Sequence, residues 1–137
     1  MDVKALLRQY DIRPSKGLAQ NFLIDERVVD QILVASDLRP TDLVLEVGAG
    51  LGLLTARLAE GVSQLVAVEL DRKMVKVLSD TLGGRANVRI VQGDILEIDF
   101  VAELAAALGL QEAASFSYKV VANLPYYITS AVLRHLL

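Results

Sequence analysis

The chain has 137 residues, of which 53% are apolar and 5% aromatic, and its formal net charge at pH 7 is −3. It contains no cysteine and one histidine, His135, which excludes disulfides, thiolate metal sites and histidine metal clusters. The length predicts at most one domain, and the aliphatic excess favours strands buried on both faces of a parallel sheet. The negative net charge argues against a strongly basic nucleic-acid-binding surface. The sequence has no long apolar run and no signal peptide, which predicts a soluble, cytoplasmic protein with no membrane partner.

The predicted elements change in character at residue 43. Two helices come first, over residues 2–10 and 25–37, the second with Asp25 as its N-cap. Short apolar runs then alternate with helical segments. The predicted strands are Leu43–Val47, 65–69, Val88–Gln92 and Lys119–Ala122, and the predicted helices are 51–60 (ending before Gly61), 71–82, 100–108 and a last one from Ser130. This alternation predicts an α/β fold with a doubly wound, mostly parallel sheet, whose ligand lies beyond the carboxyl ends of the strands.

The first two strand ends carry a nucleotide-like pattern. Gly48, Gly50 and Gly52 follow the first strand, where glycines permit a tight turn and let a ligand approach the backbone. Glu69 ends the second strand about 20 residues later, a position from which a carboxylate can bind ribose hydroxyls. The spacing GxGxG differs from the dinucleotide pattern GxGxxG. An ordinary glycine-rich turn with a solvated glutamate remains the alternative, and so does a nicotinamide dehydrogenase.

The third and fourth strand ends add groups that suit an adenine base. Asp94 could accept a hydrogen bond from an exocyclic amine and Ile95 could pack on the ring, although an aspartate in a turn is an equally good interpretation. After the fourth strand, the side-chain oxygen of Asn123 and the carbonyl of Leu124 could both accept from one amino group. Pro125 would hold the backbone and Tyr126 would stack on the base. The alternative is a turn with packed tyrosines.

Five segments in chain order carry a family resemblance: residues 20–23, 46–52, 68–71, 93–94 and 123–126. Together they resemble the S-adenosylmethionine-dependent ribosomal RNA adenine N6-dimethyltransferases, most closely the bacterial small-subunit branch. The related macrolide-resistance 23S rRNA enzymes usually carry isoleucine where this chain has Leu124. One departure from the small-subunit branch is Ala19, where glycine is usual.

The resemblance implies a Rossmann-like methyltransferase fold, S-adenosyl-L-methionine as cofactor and no metal. It implies dimethylation of two adjacent adenosines near the 3′ end of 16S rRNA in the immature 30S subunit. The methyl group would pass from the cofactor to the adenine N6 by direct displacement. The implied catalytic residues are Asn123, Leu124, Pro125 and Tyr126, and the implied cofactor-binding residues are Gln20, Asn21, Leu23, Gly48, Gly50, Glu69, Leu70, Asp94, Ile95 and Asn123.

The resemblance also implies that residues 1–137 are the N-terminal part of a methyltransferase domain, truncated after about four strands. The later strands and a helical rRNA-binding domain would be absent, so we expect this chain to be inactive by itself and to associate through an open sheet edge. Two further functions stay open at this stage. One is a 23S rRNA adenine N6-methyltransferase of the macrolide-resistance type, and the other is a non-catalytic cofactor-binding or ribosome-assembly module.

Overall fold

The computed structural model describes residues 2–13, 26–109 and 116–123, together with Arg134 and Leu136. These residues form one four-stranded sheet covered by helices on both faces. The elements in chain order are α1 (Val3–Gln9), α2 (Glu26–Ser36), β1 (Leu43–Val47), α3 (Leu53–Gly61), β2 (Gln64–Glu69), α4 (Arg72–Leu82), β3 (Val88–Gln92), α5 (Phe100–Ala107) and β4 (Lys119–Ala122). No helix in these ranges combines the length and the apolar character needed to cross a membrane.

The sheet is parallel throughout, with the strand order β3-β2-β1-β4. The chain therefore builds outward from β1 on one side through β2 and β3, and then returns to place β4 on the other side of β1. All five residues of β1 are buried, as expected for a central strand with both faces covered. The predicted doubly wound α/β fold is confirmed, and three of the four predicted strands have the predicted bounds.

The two faces of the sheet have separate apolar cores because successive side chains of a strand point to opposite sides. On one face, Leu45 and Val66 pack against Phe100 and Leu104 of α5. The other face carries α2, α3 and α4, packed on alternate residues of the same strands: Val29, Leu54 and Leu58 lie on Val44 and Leu65, while Leu78 and Leu82 lie on Ala67.

Helix α1 packs against α4 and against the turn that follows β1. Val3 and Ile12 contact Leu51, Met74 and Val77 in one small buried cluster. At its edge, the Tyr10 hydroxyl donates a hydrogen bond of 2.8 Å to Asp80 on α4. The start of the chain is therefore held beside the carboxyl end of β1.

Several predicted helix boundaries differ from the structure by one or two residues, and three of them lie in α3 and α4. Helix α3 begins at Leu53 rather than residue 51, because Gly52 has φ +92° and cannot be part of a right-handed helix. At the other end, Gly61 was predicted to follow the helix but is its last residue, and Val62 in extended conformation ends it. The sequence predicts Asp71 as the first residue of its helix, but the structure shows that it is the N-cap of α4. Its carboxylate accepts hydrogen bonds from the Lys73 and Met74 amides.

The predicted helix from Ser130 is described only at Arg134 and Leu136, which are both helical. Leu136 packs against the core on the α5 face. The predicted N-cap Asp25 lies outside the described residues, and α2 is described from Glu26.

We predict that Gly52→Ala destabilises the chain by about 1–3 kcal/mol, because a side chain is strained at this φ. The added Cβ would also lie 2.8 Å from Leu78 Cδ2 and 3.2 Å from Leu82 Cδ1. Gly61→Ala is the matched control, since Gly61 is helical and its Cβ would meet nothing within 4 Å. Urea unfolding followed by circular dichroism measures both, and equal midpoints for the two variants would contradict the prediction.

Candidate functional site

The strand order changes direction at β1, and this creates a crevice at the carboxyl end of the sheet. Val47 at the end of β1 pairs with Val68 on β2 on one side and with Ala122 on β4 on the other. The residues that follow, Gly48 and Asn123, therefore leave adjacent strands side by side. In open parallel sheets a ligand binds at such a switch point.

The turn after β1, residues 48–52 and called here the glycine turn, has three left-handed positions. Gly48, Gly50 and Gly52 have φ angles of +78°, +59° and +92°. The Gly48 and Ala49 amides both donate to the Val68 carbonyl, at 2.9 and 3.2 Å, which holds the turn against β2. A Cβ at Gly50 would meet no atom of the described residues within 4 Å, so this part of the turn faces open space among them.

The carboxylate of Glu69 connects the glycine turn to the start of α4. Its Oε1 accepts a hydrogen bond from the Gly50 amide, and its Oε2 accepts one from the Asp71 amide, both at 2.8 Å. Each carboxylate oxygen can accept two hydrogen bonds. Glu69 therefore retains acceptor positions for hydroxyl groups of a ligand while the two backbone amides fix its orientation. Leu70, the next residue, is 66% exposed and presents an apolar surface at the same edge of the sheet.

The turn after β3 is bound to the end of β2 and uses Asp94 to shape its own backbone. The Gly93 amide donates to the Glu69 carbonyl at 3.0 Å, and Asp94 Oδ1 accepts from the Leu96 amide at 2.9 Å. This is the aspartate turn that the sequence left open as an alternative. Ile95 is 6% exposed and packs in the core on the α5 face, so most of its side chain is used there.

The structure thus brings together Gly48, Gly50, Glu69, Leu70, Asp94 and Asn123 at one edge of the sheet, with Asn123 exposed at the end of β4. The other predicted site residues, Gln20, Asn21, Leu23, Leu124, Pro125 and Tyr126, lie outside the described residues. In the described ranges 2–13, 26–109 and 116–123, no group of three or more acidic or histidine side chains could hold a metal ion.

Glu46, to which the sequence pattern assigns no role, is a buried acid on the strand that enters the glycine turn. It is 1% exposed, and its Oε1 accepts a hydrogen bond from Thr55 Oγ1 at 3.0 Å. Burial raises the pKa of Glu46 to about 8; the Thr55 hydrogen bond lowers it, and the charge of Glu69 raises it. The available signal was a charged residue within the aliphatic strand Leu43–Val47.

The family model for ribosomal RNA adenine dimethylase matches residues 13–137 of the chain. The chain belongs to this family. Two relatives in sequence are both named ribosomal RNA small subunit methyltransferase A. The one from Moorella thermoacetica is 47% identical over 133 residues, and the one from Dehalococcoides mccartyi strain ATCC BAA-2266 is 48% identical over 134 residues. The matches cover 97% and 98% of this chain but 46% and 43% of the relatives, so the chain spans just under half of their length.

Solved structures agree with this family assignment at the level of the fold. The 23S rRNA methyltransferase ErmE superimposes with a TM-score of 0.68 at 33% identity, covering 84% of this chain and 42% of that protein. An RNA methyltransferase from Salinibacter ruber in complex with S-adenosyl-L-homocysteine has a TM-score of 0.51 at 30% identity, over 56% of this chain and 53% of that one. A dimethyladenosine transferase from Plasmodium falciparum shares the fold at 24% identity, with a TM-score of 0.62 over 82% of this chain and 36% of that one.

The described residues fit an adenosine-containing cofactor of the kind used by methyltransferases. The open space at Gly50 would be filled by the Cβ of any other residue. Beside it, the Glu69 carboxylate is oriented by two backbone amides and keeps free acceptor capacity. A pair of neighbouring sugar hydroxyls can donate to such a carboxylate, and the apolar Leu70 side chain can cover part of a nucleoside.

We predict that Glu69→Ala speeds hydrogen exchange at the Gly50 and Asp71 amides by about tenfold or more, because each loses a charge-assisted hydrogen bond. Native-state exchange by NMR measures both amides separately. Glu97→Ala is the control, since Glu97 is an exposed glutamate on the neighbouring turn. Unchanged exchange in Glu69→Ala would mean that the carboxylate does not hold the glycine turn.

Proposed function

We propose that this chain binds S-adenosyl-L-methionine and forms the cofactor-binding part of a ribosomal RNA adenine N6-dimethyltransferase. The observation that supports this best is the Glu69 carboxylate, which bridges the Gly50 and Asp71 amides at the strand switch point. Family membership and the Salinibacter ruber complex support the choice of cofactor. Residues 1–137 would be the N-terminal part of the methyltransferase domain, and the proposed activity belongs to the whole protein in which this part works.

The cofactor would lie across the carboxyl ends of β1, β2 and β3. Gly48 and Gly50 would form its floor because their backbones carry no side chain. Glu69 would accept hydrogen bonds from the ribose hydroxyls, with Leu70 against the nucleoside. Asp94 would receive the adenine amine, and Ile95 would contribute the small part of its side chain that stays exposed. By the family resemblance, Gln20, Asn21 and Leu23 would close the pocket on the methionine side.

Catalysis by this chain would depend on positioning and on stabilising positive charge. The cofactor supplies an electrophilic methyl group that needs no acid to activate it. Asn123 leaves β4 next to the glycine turn, and its side-chain oxygen would lie where a target base meets the cofactor. This oxygen and the Leu124 carbonyl would accept hydrogen bonds from the adenine N6 amine and stabilise the charge that develops on it. Pro125 would hold that carbonyl in place, and Tyr126 would stack on the base.

We propose 16S rRNA in the immature 30S subunit as the substrate, which places the protein in the cytoplasm. The relatives at 47% and 48% identity are named as small-subunit methyltransferases. The structural match to ErmE, a 23S rRNA methyltransferase, favours large-subunit rRNA as the second candidate substrate. Incorporation of labelled methyl groups into 16S or 23S rRNA distinguishes the two.

We predict that the 137-residue chain binds S-adenosylhomocysteine and does not bind NAD. Glu69→Ala should weaken binding roughly 10- to 100-fold, because the ribose loses a charge-assisted partner and the glycine turn loses its anchor. Isothermal titration calorimetry measures each affinity, with Glu97→Ala as the control. Preference for NAD, or a Glu69→Ala variant that binds as the wild type does, would contradict the proposed cofactor site.

Methyl transfer is best tested in a chimera in which this chain replaces the corresponding 46% of the Moorella thermoacetica relative. In this chimera we predict that Asn123→Ala abolishes methyl transfer to immature 30S particles, or lowers it by at least about 10²-fold, because N6 loses an acceptor in the transition state. Cofactor binding should be weakened but measurable. Ser117→Ala, an exposed polar change just before β4, is the control.

The informative comparison is between folded proteins that both bind the cofactor. Near-normal methyl transfer by the Asn123→Ala variant would show that Asn123 is not a catalytic residue. A chimera that binds cofactor and transfers no methyl group to either rRNA would favour the non-catalytic cofactor-binding module instead.

A further inference from the structure

Glu46 is an acidic side chain in the middle of an otherwise aliphatic core. It is 1% exposed, and it lies on the same face of β1 as Val44, toward α3. Its partners in the strand register are Ala67 on β2 and Val121 on β4, both buried and apolar. Neither of these two register partners therefore offers Glu46 a hydrogen bond or an opposite charge from its side chain.

Within the described ranges, only one carboxyl oxygen of Glu46 has a hydrogen-bond partner. Oε1 accepts from Thr55 Oγ1 at 3.0 Å, and Thr55 is itself fully buried. Oε2 has no hydrogen-bond partner in the part of the chain that the structure describes. An unpartnered oxygen is far more costly in a buried carboxylate anion than in a neutral acid, because the anion loses all of its hydration there.

Among the residues that the structure describes, the charged groups around Glu46 do not offset a negative charge on it. Glu69 on β2 is itself acidic and disfavours the ionised form. On the other elements packed around Glu46, the charged side chains lie in ion pairs at the surface or are exposed: Arg57 of α3 with Asp30 of α2, Lys119 of β4 with Asp42, and Glu26, Arg27 and Glu60.

The pKa of Glu46 agrees with this geometry. Burial raises it to about 8, with the Thr55 hydrogen bond acting in the opposite direction and the charge of Glu69 in the same direction. At pH 7 most molecules therefore carry the proton on this side chain.

Glu46 and Thr55 lie on the two sides of the glycine turn. Glu46 is near the end of β1, and Thr55 is in the first turn of α3. Their hydrogen bond, on the buried side of the turn, joins the strand that enters the turn to the helix that leaves it. From above, Glu69 holds the same turn through the Gly50 amide. We propose that Glu46 is a positioning residue for the cofactor site, which as a neutral acid bound to Thr55 fixes the two ends of the glycine turn.

This proposal rests on the proposed function, since it concerns the turn on which the cofactor would lie. Ionisation of Glu46 places an unpartnered negative charge beneath the turn and beside Glu69. The charged side chain must then draw in water or move, and either change disturbs the position of the Gly48 and Gly50 backbone. Cofactor affinity should therefore fall as Glu46 loses its proton.

The test compares the wild-type chain with Glu46→Gln, whose neutral amide keeps an acceptor for Thr55. Calorimetry with S-adenosylhomocysteine is done from pH 6 to pH 9.5. We expect similar affinities at pH 6–7, and by pH 9 a wild-type affinity about tenfold weaker than that of the variant, because only the neutral form binds well. The amino group of the ligand titrates equally in both series. The ratio of the wild-type affinity to the Glu46→Gln affinity therefore reports only the ionisation of Glu46. A constant ratio across this range would overturn the proposal.

Glu46→Leu separates positioning from packing. Leucine fills a similar volume in an apolar site but cannot accept the Thr55 hydrogen bond. We expect a folded chain with S-adenosylhomocysteine affinity at least about tenfold below that of Glu46→Gln at pH 7. A folded Glu46→Leu chain that binds as Glu46→Gln does would mean that Glu46 does not position the turn.

A measurement without ligand keeps the inference separate from the proposed cofactor. The pKa of Glu46 is raised relative to its unfolded value of 4.5, so the folded state retains a proton that the unfolded state releases. The stability of the wild type relative to Glu46→Gln should therefore fall as the pH rises from about 4.5 to 8, and be constant above. Thermal unfolding midpoints of both chains measure this difference, and a ¹³C NMR titration of the Glu46 carboxyl gives its midpoint directly.

These measurements have distinct outcomes. A titration midpoint below pH 6 would overturn the inference that Glu46 is a neutral acid at pH 7, whatever the chain binds. If the titration midpoint is near 8 but the chain binds no S-adenosylhomocysteine at any pH, Glu46 is a neutral acid as inferred. The proposed function is then contradicted, and so is the role of Glu46 in positioning a cofactor.

Discussion

Strand β1 is paired on both edges and covered on both faces, and the rest of the site depends on this position. Because β2 and β4 both pair with it in parallel, the chain segments that follow all three strands emerge at one edge of the sheet. The strand can carry only side chains that tolerate burial, and four of its five residues are leucine or valine. The glycine turn then leaves the core abruptly, which requires the left-handed backbone at Gly48, Gly50 and Gly52.

The glycine turn is held between two carboxyl groups with opposite properties. Glu69 lies at the rim of the sheet and accepts two backbone hydrogen bonds, which are the kind of partner that an ionised carboxylate needs. Glu46 lies beneath the turn, where the described part of the chain gives it one hydrogen-bond partner and no compensating cation, which favours the neutral acid. The same residue type therefore has two roles, set by the number of donors that reach it and by the water that surrounds it.

The described residues that the resemblance assigns to the cofactor follow the strands at one edge of the sheet, but the structure gives some of them other roles. Asp94 and Ile95 were expected to receive an adenine base, whereas the structure uses Asp94 to hold its own turn and most of Ile95 in the core. Asp94 nevertheless follows β3 at the same edge of the sheet as the glycine turn and Glu69. Asn123 is expected at the crevice, and the structure shows it exposed directly after β4, the strand that pairs with β1.

The sequence by itself determined the positions of the strands, the glycine turn and the acid at the end of β2. These features depend on local periodicity and on residue types within a few positions, as the agreement at Leu43–Val47 and Val88–Gln92 shows. Only the tertiary structure decided the strand order, the anchoring of Glu69 by Gly50 and Asp71, and the protonation of Glu46. Each of these depends on groups brought together from distant parts of the chain, and on the burial that results, which neither spacing nor composition encodes.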